Sequence, residues 1–520
     1  MSQSLIFLIP ALIYIALRTI FWFNAFPNPD EAYYWLWGQH PDLSYYDHPP
    51  LLAWVQGIFT HILGQSFFTL RSPNLASNCV FFYTYFLIAK YLYRGIAKPR
   101  LWQYFGAIAL AIVSSPLYFV MLSLAWHDHL MMTLSLVSAY LMVTFLDGYA
   151  QNGKGTNWRL YCAAIAIALA CLAKYNALFM GLGFIAAIAT SPKHRPLFRD
   201  SRFYLSVAIA IGGFLPVLLW NFGNDFQSLR FYLSRSVDAG TPLMRLTEPI
   251  GFLLLSVVMV SPVNSWLLWQ GWRRFPISLE KPSRSGGIPT QQGLPSDSIY
   301  RSLAGWTFAI GTGLLTGISF FSTALYYWNI TAYLLLFPLI PSVLFEAQGS
   351  AVEPILKGTA KRLFMGGQAY GLLFATLLVI NYSFIPIAAL LSPDADQESR
   401  IVFGWNQVAP AIQQASNQNL AKTPFLATTD YRSASLLAYQ LKDRQVTAIS
   451  QRVSQFTLWN LQQERMGQDA IVLSDDWYPL TATVKSKFAR MSESQTVPVS
   501  LFGIWLKNYY LTKGYGFKGF

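Results

Sequence analysis

The chain is laid out as a series of apolar runs, many of them about as long as a bilayer is thick, separated by short clusters of lysine and arginine. A helix rises about 1.5 Å per residue, so about 20 apolar residues cross the hydrocarbon core. Runs of this kind lie near Leu5–Phe23, Asn74–Tyr91, Leu101–Leu124, Phe203–Trp220, Gly251–Trp269, Ala304–Thr323, Asn329–Phe345 and Leu363–Leu391. Charged residues make up 12% of the chain, against about 25% in an average soluble protein. The expected fold class is therefore a polytopic α-helical membrane protein with about 11–13 transmembrane helices.

The net charge of +13 does not call for a nucleic acid, because the basic residues fall between apolar runs, as at Lys90, Arg94, Lys98 and Arg100. Such clusters mark the cytoplasmic side. With an uncharged start and an aromatic end, the first run reads as a retained span rather than a cleaved signal. The expected location is the cytoplasmic (inner) membrane, with the stretch after the first span outside. Leu160–Thr190 must then go out and back as two short helices with Lys174 near the outward tip. The residues KPSRSGGIPTQQGLPSDS read as a flexible cytoplasmic loop.

The outer loops hold the candidate chemistry. Asn28–Leu52, NPDEAYYWLWGQHPDLSYYDHPPLL, carries Asp30, Glu31, Asp47 and His48 among aromatic residues. Carboxylates here suit proton transfer, metal binding or recognition of a polar substrate, whereas the aromatic residues alone could be an interfacial belt. A second polar knot is His127, Asp128 and His129. Consecutive helical side chains point about 100° apart, so these three do not converge on one ion. Lys174 either snorkels or binds an anion in a cavity. Arg230 and Arg235 lie on the outer side against the charge trend, and guanidinium groups suit bidentate phosphate recognition. Tyr326, Tyr327 and Trp328 line a cavity or simply mark the interface. Cys79, Cys162 and Cys171 show no paired spacing, so neither a disulfide framework nor a zinc site is expected.

From about Ser392 the composition is that of a soluble domain, giving an expected division into 1–391, with a first outer loop at 24–73, and 392–520. PFLATTD, YRSASLLAYQL, VTAIS and AIVLSDD read as strand, helix, strand and strand of a small extracytoplasmic α/β domain. It carries no Gly-rich phosphate loop and no nucleophile elbow, which assigns it recognition or a lid role.

In this order, DEAYYW, YYDHPPL, LRSPN with Arg71, Asp128, AKYNA with Lys174 and QSLRF with Arg230 resemble the bacterial protein O-mannosyltransferase-like (PMT-like) superfamily. These are membrane glycosyltransferases of the GT-C fold, related to the aminoarabinose transferase that modifies lipid A. The resemblance covers most of the membrane portion, and SQFTLW in the tail also looks like the outer domain of such proteins. It implies transfer of a sugar from a polyprenyl-phosphate donor to a protein, glycolipid or cell-envelope glycan at the outer face. Carried over, Asp30 is the catalytic base of an inverting transfer, assisted by Glu31, with Asp128 also in the catalytic set. Lys174, Arg230, Arg235, His48 and Arg71 are the candidates for the donor phosphate; His48 stands where some relatives carry Lys before Pro-Pro. Asp47 and Asp128 either hold a divalent metal or position sugar hydroxyls, and an activated donor does not require a metal. The rival class is a transporter or flippase for a lipid-linked or polar solute, which should show two related halves with interrupted helices; no such repeat is found. A third reading is a non-catalytic binding subunit with dispensable loop carboxylates.

Overall fold

The computed structural model describes residues 3–153, 155–236, 247–275, 296–345, 358–391, 397–416, 424–450, 452–459 and 463–519. The loop expected at 281–298 lies, up to residue 295, outside the described residues. Two compact units emerge, Met1–Ala16 with Asn74–Ala375 and Leu17–Pro73 with Thr376–Phe520. The first outer loop is thus grouped with the C-terminal residues.

By length and composition five described helices can cross a membrane: Leu5–Asn24, Phe67–Leu92, His127–Gln151, Ser201–Gly223 and Gly358–Ser383. The number rises to eight when each of three bent pairs is one span, and shorter apolar helices accompany them. The expectation of about 11–13 counts several bent and short helices as spans of their own.

Two runs expected to be straight are broken. Lys98–Val113 meets Pro116–Ser123 at 84°, and Thr247–Val260 meets Pro262–Arg274 at 91°. The cause is local. Proline has no N–H for the helix ladder and pushes the preceding residue out of the helical region. Ser115 and Ser261 accordingly have extended ψ values of 115° and 130°. The breaks interlock: the Ser115 hydroxyl donates to the Val260 carbonyl at 2.5 Å, and the Asn264 amide donates to the Ala111 carbonyl at 2.8 Å.

A third bent pair, Tyr326–Tyr333 with Phe337–Leu344, turns by 48°. Short helical pieces leave carbonyls without intrahelical partners, which an apolar setting punishes. Tyrosines supply the donors. Tyr118 donates to the Ile330 carbonyl (2.6 Å), Tyr85 to Leu334 (2.8 Å), Tyr300 to Leu335 (3.0 Å) and Tyr93 to Pro338 (2.8 Å). The expected division into two short helices at Lys174 is present: Asn157–Ala173 stops at an extended Lys174, and Leu178–Thr190 follows after a single 3-10 turn.

In the second unit the Pro29–Gln39 helix crosses the Leu51–Leu63 helix where Gly38 meets Gly57. A Cβ on Gly38 would lie 2.7 Å from the Gly57 nitrogen, so the crossing requires glycine. The aromatic residues of DEAYYWLW are core: Tyr33, Tyr34, Trp35 and Trp37 are all buried. They therefore do not form the exposed interfacial belt, because the Tyr431–Leu441 helix covers them, with Tyr33 5.0 Å from Tyr431 and Trp35 5.1 Å from Tyr439.

That helix belongs to a six-stranded sheet of order β2-β1-β3-β6-β4, with β5 also paired to β6. The strands are β1 Phe425–Thr428, β2 Thr447–Ala448, β3 Ala470–Asp475, β4 Phe488–Met491, β5 Gln495–Leu501 and β6 Ile504–Phe517. The first three are parallel, and β6 runs antiparallel to its neighbours. The strand, helix, strand, strand reading thus holds for β1 to β3, and an antiparallel half follows it. Phe425, Ile449, Val472, Phe488 and Phe517 form the core on one face.

Candidate active site

Asn-Pro-Asp-Glu is a helix start written in four residues. Asn28 caps the helix, Pro29 occupies the first turn where its missing N–H costs nothing, and Glu31 closes a capping box. The Asn28 side chain accepts the Glu31 N–H at 2.9 Å, and Glu31 Oε2 accepts the Asn28 N–H at 3.1 Å. Arg71 grips the same carboxylate, its Nε 2.9 Å from Oε1 and its Nη2 2.7 Å from Oε2. Both side chains are fully buried. The remaining Nη1 donates to the Ala25 carbonyl at 2.8 Å, and the guanidinium lies 4.6 Å from the Phe21 ring centre.

Asp30, one residue earlier, sits in a different environment. It is half-buried, and among the described residues no donor forms a hydrogen bond to it. Burial raises its carboxyl pKa to about 6; Glu398 and Asp47 push it the same way, and Arg432 and Arg452 oppose them. Two adjacent carboxylates are thereby separated in character: Glu31 is locked, while Asp30 is open and titrates near neutrality.

The two arginines that act on Asp30 arrive from just past the parallel strands β1 and β2. Asp430, just past β1, caps the Tyr431–Leu441 helix by accepting the Arg432 N–H at 2.9 Å. Arg432 donates to Glu398 at 3.2 Å and to the Tyr478 hydroxyl, past β3, at 2.9 Å. Arg452, past β2, lies 3.6 Å from Asp47 and 4.3 Å from the Tyr431 ring centre. Asp47 is buried and accepts the Tyr33 hydroxyl at 2.9 Å, while that hydroxyl receives the Gln455 N–H at 2.7 Å. Gln455 belongs to the SQFTLW stretch, whose place is now explained. His48 is half-buried with its ring 5.7 Å from Tyr34. Polar groups clustered at the carboxyl ends of parallel strands follow the general rule for ligand sites in open α/β sheets.

The first unit holds the second group of expected residues. Lys174 donates to both oxygens of Asp128, at 2.8 and 2.9 Å, and its ammonium lies 5.1 Å from the Tyr327 ring centre. Both partners are buried. The His129 Nδ1 lies 2.7 Å from the Ser77 hydroxyl. Asn74 of LRSPN donates to the carbonyls of Leu122 and Leu124, fixing the corner before His127. Arg230 is exposed on the Gln227–Ser236 helix, reached through Asp225 and Phe226 with φ of 50° and 56°. Arg235 is on the same helix, its side chain outside the described set. Among the described residues no group of three or more His, Cys, Asp or Glu is placed to hold a metal ion.

Sequence reasoning missed Arg432, Arg452, Glu398 and Tyr478. A signal was available for the arginines: ATTDYR and TAISQR each place a cation just past a predicted strand.

Comparisons with known proteins bear on the family and the fold. The family model described as dolichyl-phosphate-mannose-protein mannosyltransferase matches residues 47–220. The lipid A galacturonosyltransferase RgtD of Rhizobium johnstonii is 26% identical over 247 residues, 47% of this chain and 49% of that protein. The chain thus spans about half the length of the curated relative it matches. The crystal structure of ArnT from Cupriavidus metallidurans in the apo state shares the fold, with a TM-score of 0.60 at 12% identity over 96% of this chain and 97% of that one. The same protein bound to undecaprenyl phosphate gives 0.59 at 13% identity over the same shares. By its family match over residues 47–220, its curated relative and its ArnT-like fold, this multi-pass membrane protein is similar to the PMT-like GT-C membrane glycosyltransferases.

Proposed function

We propose that the protein transfers a sugar from a polyprenyl-phosphate donor to an acceptor hydroxyl at the extracytoplasmic face of the inner membrane, with inversion at the anomeric carbon and Asp30 as base. The observation that carries this is the contrast between Asp30 and Glu31. Asp30 is open, accepts no hydrogen bond among the described residues and has its pKa raised to about 6, which suits a base that must take a proton near neutral pH. Glu31 is locked against Arg71, so this pair positions the helix that presents Asp30.

The leaving phosphate needs cations already in place. Lys174, Arg230, Arg235 and His48 are proposed for the donor phosphate on their charge, Arg71 being committed to Glu31, and Arg432 and Arg452 join them because they already act on Asp30. Lys174 reaches a phosphate by sharing its ammonium with Asp128. Asp47 and Asp128 hold these cations and are proposed to orient sugar hydroxyls. The names of the relatives supply the first substrates to try: RgtD is a lipid A galacturonosyltransferase, and ArnT has been crystallised with undecaprenyl phosphate. A uronic acid on a polyprenyl phosphate, with lipid A as acceptor, is therefore first in a panel that includes neutral hexoses and pentoses and protein or glycan acceptors.

The test is transfer by the purified protein in lipid, with the anomeric configuration of donor and product read by NMR. Product of opposite configuration supports the proposal. Retained configuration contradicts the inverting base, and lipid movement across the bilayer without transfer moves the assignment to a flippase.

A further inference from the structure

Three features meet at one end of β5 and β6. First, the two strands outrun the sheet. β3 pairs with β6 only from Tyr509 onward, whereas β5 pairs with it from Ile504, so the tip is a two-stranded extension. Such a ribbon is marginal in water without a further surface to pack on.

Second, the tip is apolar on both faces. Phe502 is 78% exposed, Trp505 54% and Ile504 43%. Phe502 occupies the first turn position with φ 51°, a left-handed conformation in which two-residue hairpin turns usually place Asn, Asp or Gly. A bulky aromatic at that position gives up local stability while projecting a ring outward. The Trp505 indole N–H is satisfied within the hairpin by Asn508 at 3.1 Å.

Third, the tip is tied to the chain that has just left a membrane span. The Gly358–Ser383 helix is apolar and long enough to cross, and its end, from Thr376, belongs to this unit. Ile387–Leu391 follows it, with Leu391 82% exposed and Leu390 and Phe384 exposed as well. The buried Arg400 guanidinium joins the two elements, donating to the Ala389 carbonyl at 3.0 Å and to the Leu506 carbonyl at 3.2 Å. Leu390, Leu391, Ile504 and Trp505 therefore lie one or two residues from a shared clamp, with Phe502 at the adjoining turn.

We propose that the β5–β6 hairpin tip, Phe502, Ile504 and Trp505, inserts into the lipid interface and, with Leu390 and Leu391, forms a membrane anchor of the C-terminal unit. Lipid is the occupant because the clamp makes the tip continuous with the exit of a membrane-spanning helix, and because an exposed Trp and Phe beside such an exit match the aromatic enrichment of the bilayer interface. The inference rests on the chain being a membrane protein and not on the sugar-transfer reading.

The experiment uses the full-length protein in lipid nanodiscs. Cys79, Cys162 and Cys171 are replaced, a nitroxide is placed at Phe502→Cys, and a control at Glu493→Cys, exposed beyond the far end of β5 and about 30 Å away at strand rise. Power saturation with oxygen and with a water-soluble nickel complex reads depth. The expected result is oxygen accessibility several-fold above nickel accessibility at 502 and the reverse at 493. Equal water exposure at both positions overturns the proposal, and shielding of 502 from both relaxers overturns it in favour of a protein partner or second copy. A chain with native cysteines gives an independent reading: Trp505→Phe should remove part of the fluorescence quenchable by brominated lipid, and an unchanged quenchable fraction contradicts the anchor.

Discussion

Replacing Arg71 by methionine should destabilise the protein severely. The guanidinium makes two charge-assisted hydrogen bonds to Glu31, at 2.7 and 2.9 Å, and both side chains have no solvent exposure. Arg71→Met takes both of these charge-assisted bonds from the buried carboxylate, which keeps the Asn28 N–H at 3.1 Å. Breaking a buried pair by removing one partner costs about 3–5 kcal/mol, because the other charge stays buried and uncompensated. Glu31→Gln should cost less, since the guanidinium keeps the Ala25 carbonyl and the Phe21 ring. The double variant carries no stranded carboxylate and should be more stable than Arg71→Met alone by about 1–3 kcal/mol. Equilibrium unfolding in mixed micelles measures the cycle, with donor binding followed in parallel. Arg71→Met within about 0.5 kcal/mol of wild type, with donor binding weakened, would refute the positioning role and make Arg71 a phosphate contact.

Three further outcomes follow from the charged groups. Because Asp30 must be ionised to act and its pKa is raised to about 6, kcat/KM should rise with pH through about 6; Glu398→Gln should move that limb down and Arg432→Leu should move it up, and a limb indifferent to both contradicts the assignment. Burial lowers the Lys507 pKa to about 7, with Asp475 and Asp476 opposing. Its unfolded value is about 10.4, so the unfolded state binds the extra proton in between, and stability should rise with pH from about 7 to 10, with the cost fully present below 7. Lys507→Met should then stabilise most at pH 6 and least at pH 10 in denaturant titrations, and a benefit independent of pH would contradict this. Lys174→Met strands the buried Asp128 carboxylate, so the folded yield by size-exclusion should fall and adding Asp128→Asn should restore part of it; a single variant that folds at the wild-type level denies the pair its role.

Much of this was legible in the residues because it depends on local rules. Asn-Pro-Asp-Glu states its own cap, and the two short helices around Lys174 follow from charge on both flanks. The breaks at Ser115-Pro116 and Ser261-Pro262 were also written there, but uninterrupted hydropathy hid them, since a bilayer-length window averages over a proline. The antiparallel half of the sheet was harder to see. β5 contains Pro498 and β6 contains Lys507, Lys513 and two glycines, so neither has a clean alternation. Pairing across sequence brought Arg432 and Arg452 to Asp30, and a single sequence carries no record of pairing. Glu31 and Arg71 show the same limit from the other side: a carboxylate and a cation in a polar loop resemble site residues until burial shows that each satisfies the other.

The most direct test of the central claim is sugar transfer and donor binding measured side by side on wild type and Asp30→Asn, in lipid, with the donor that supports turnover. Asparagine preserves shape and hydrogen-bonding capacity but cannot accept the acceptor proton. The account predicts unchanged donor affinity with transfer reduced at least about 100-fold, the usual range for removing a general base. Transfer at wild-type rates by Asp30→Asn would contradict it and move the base elsewhere.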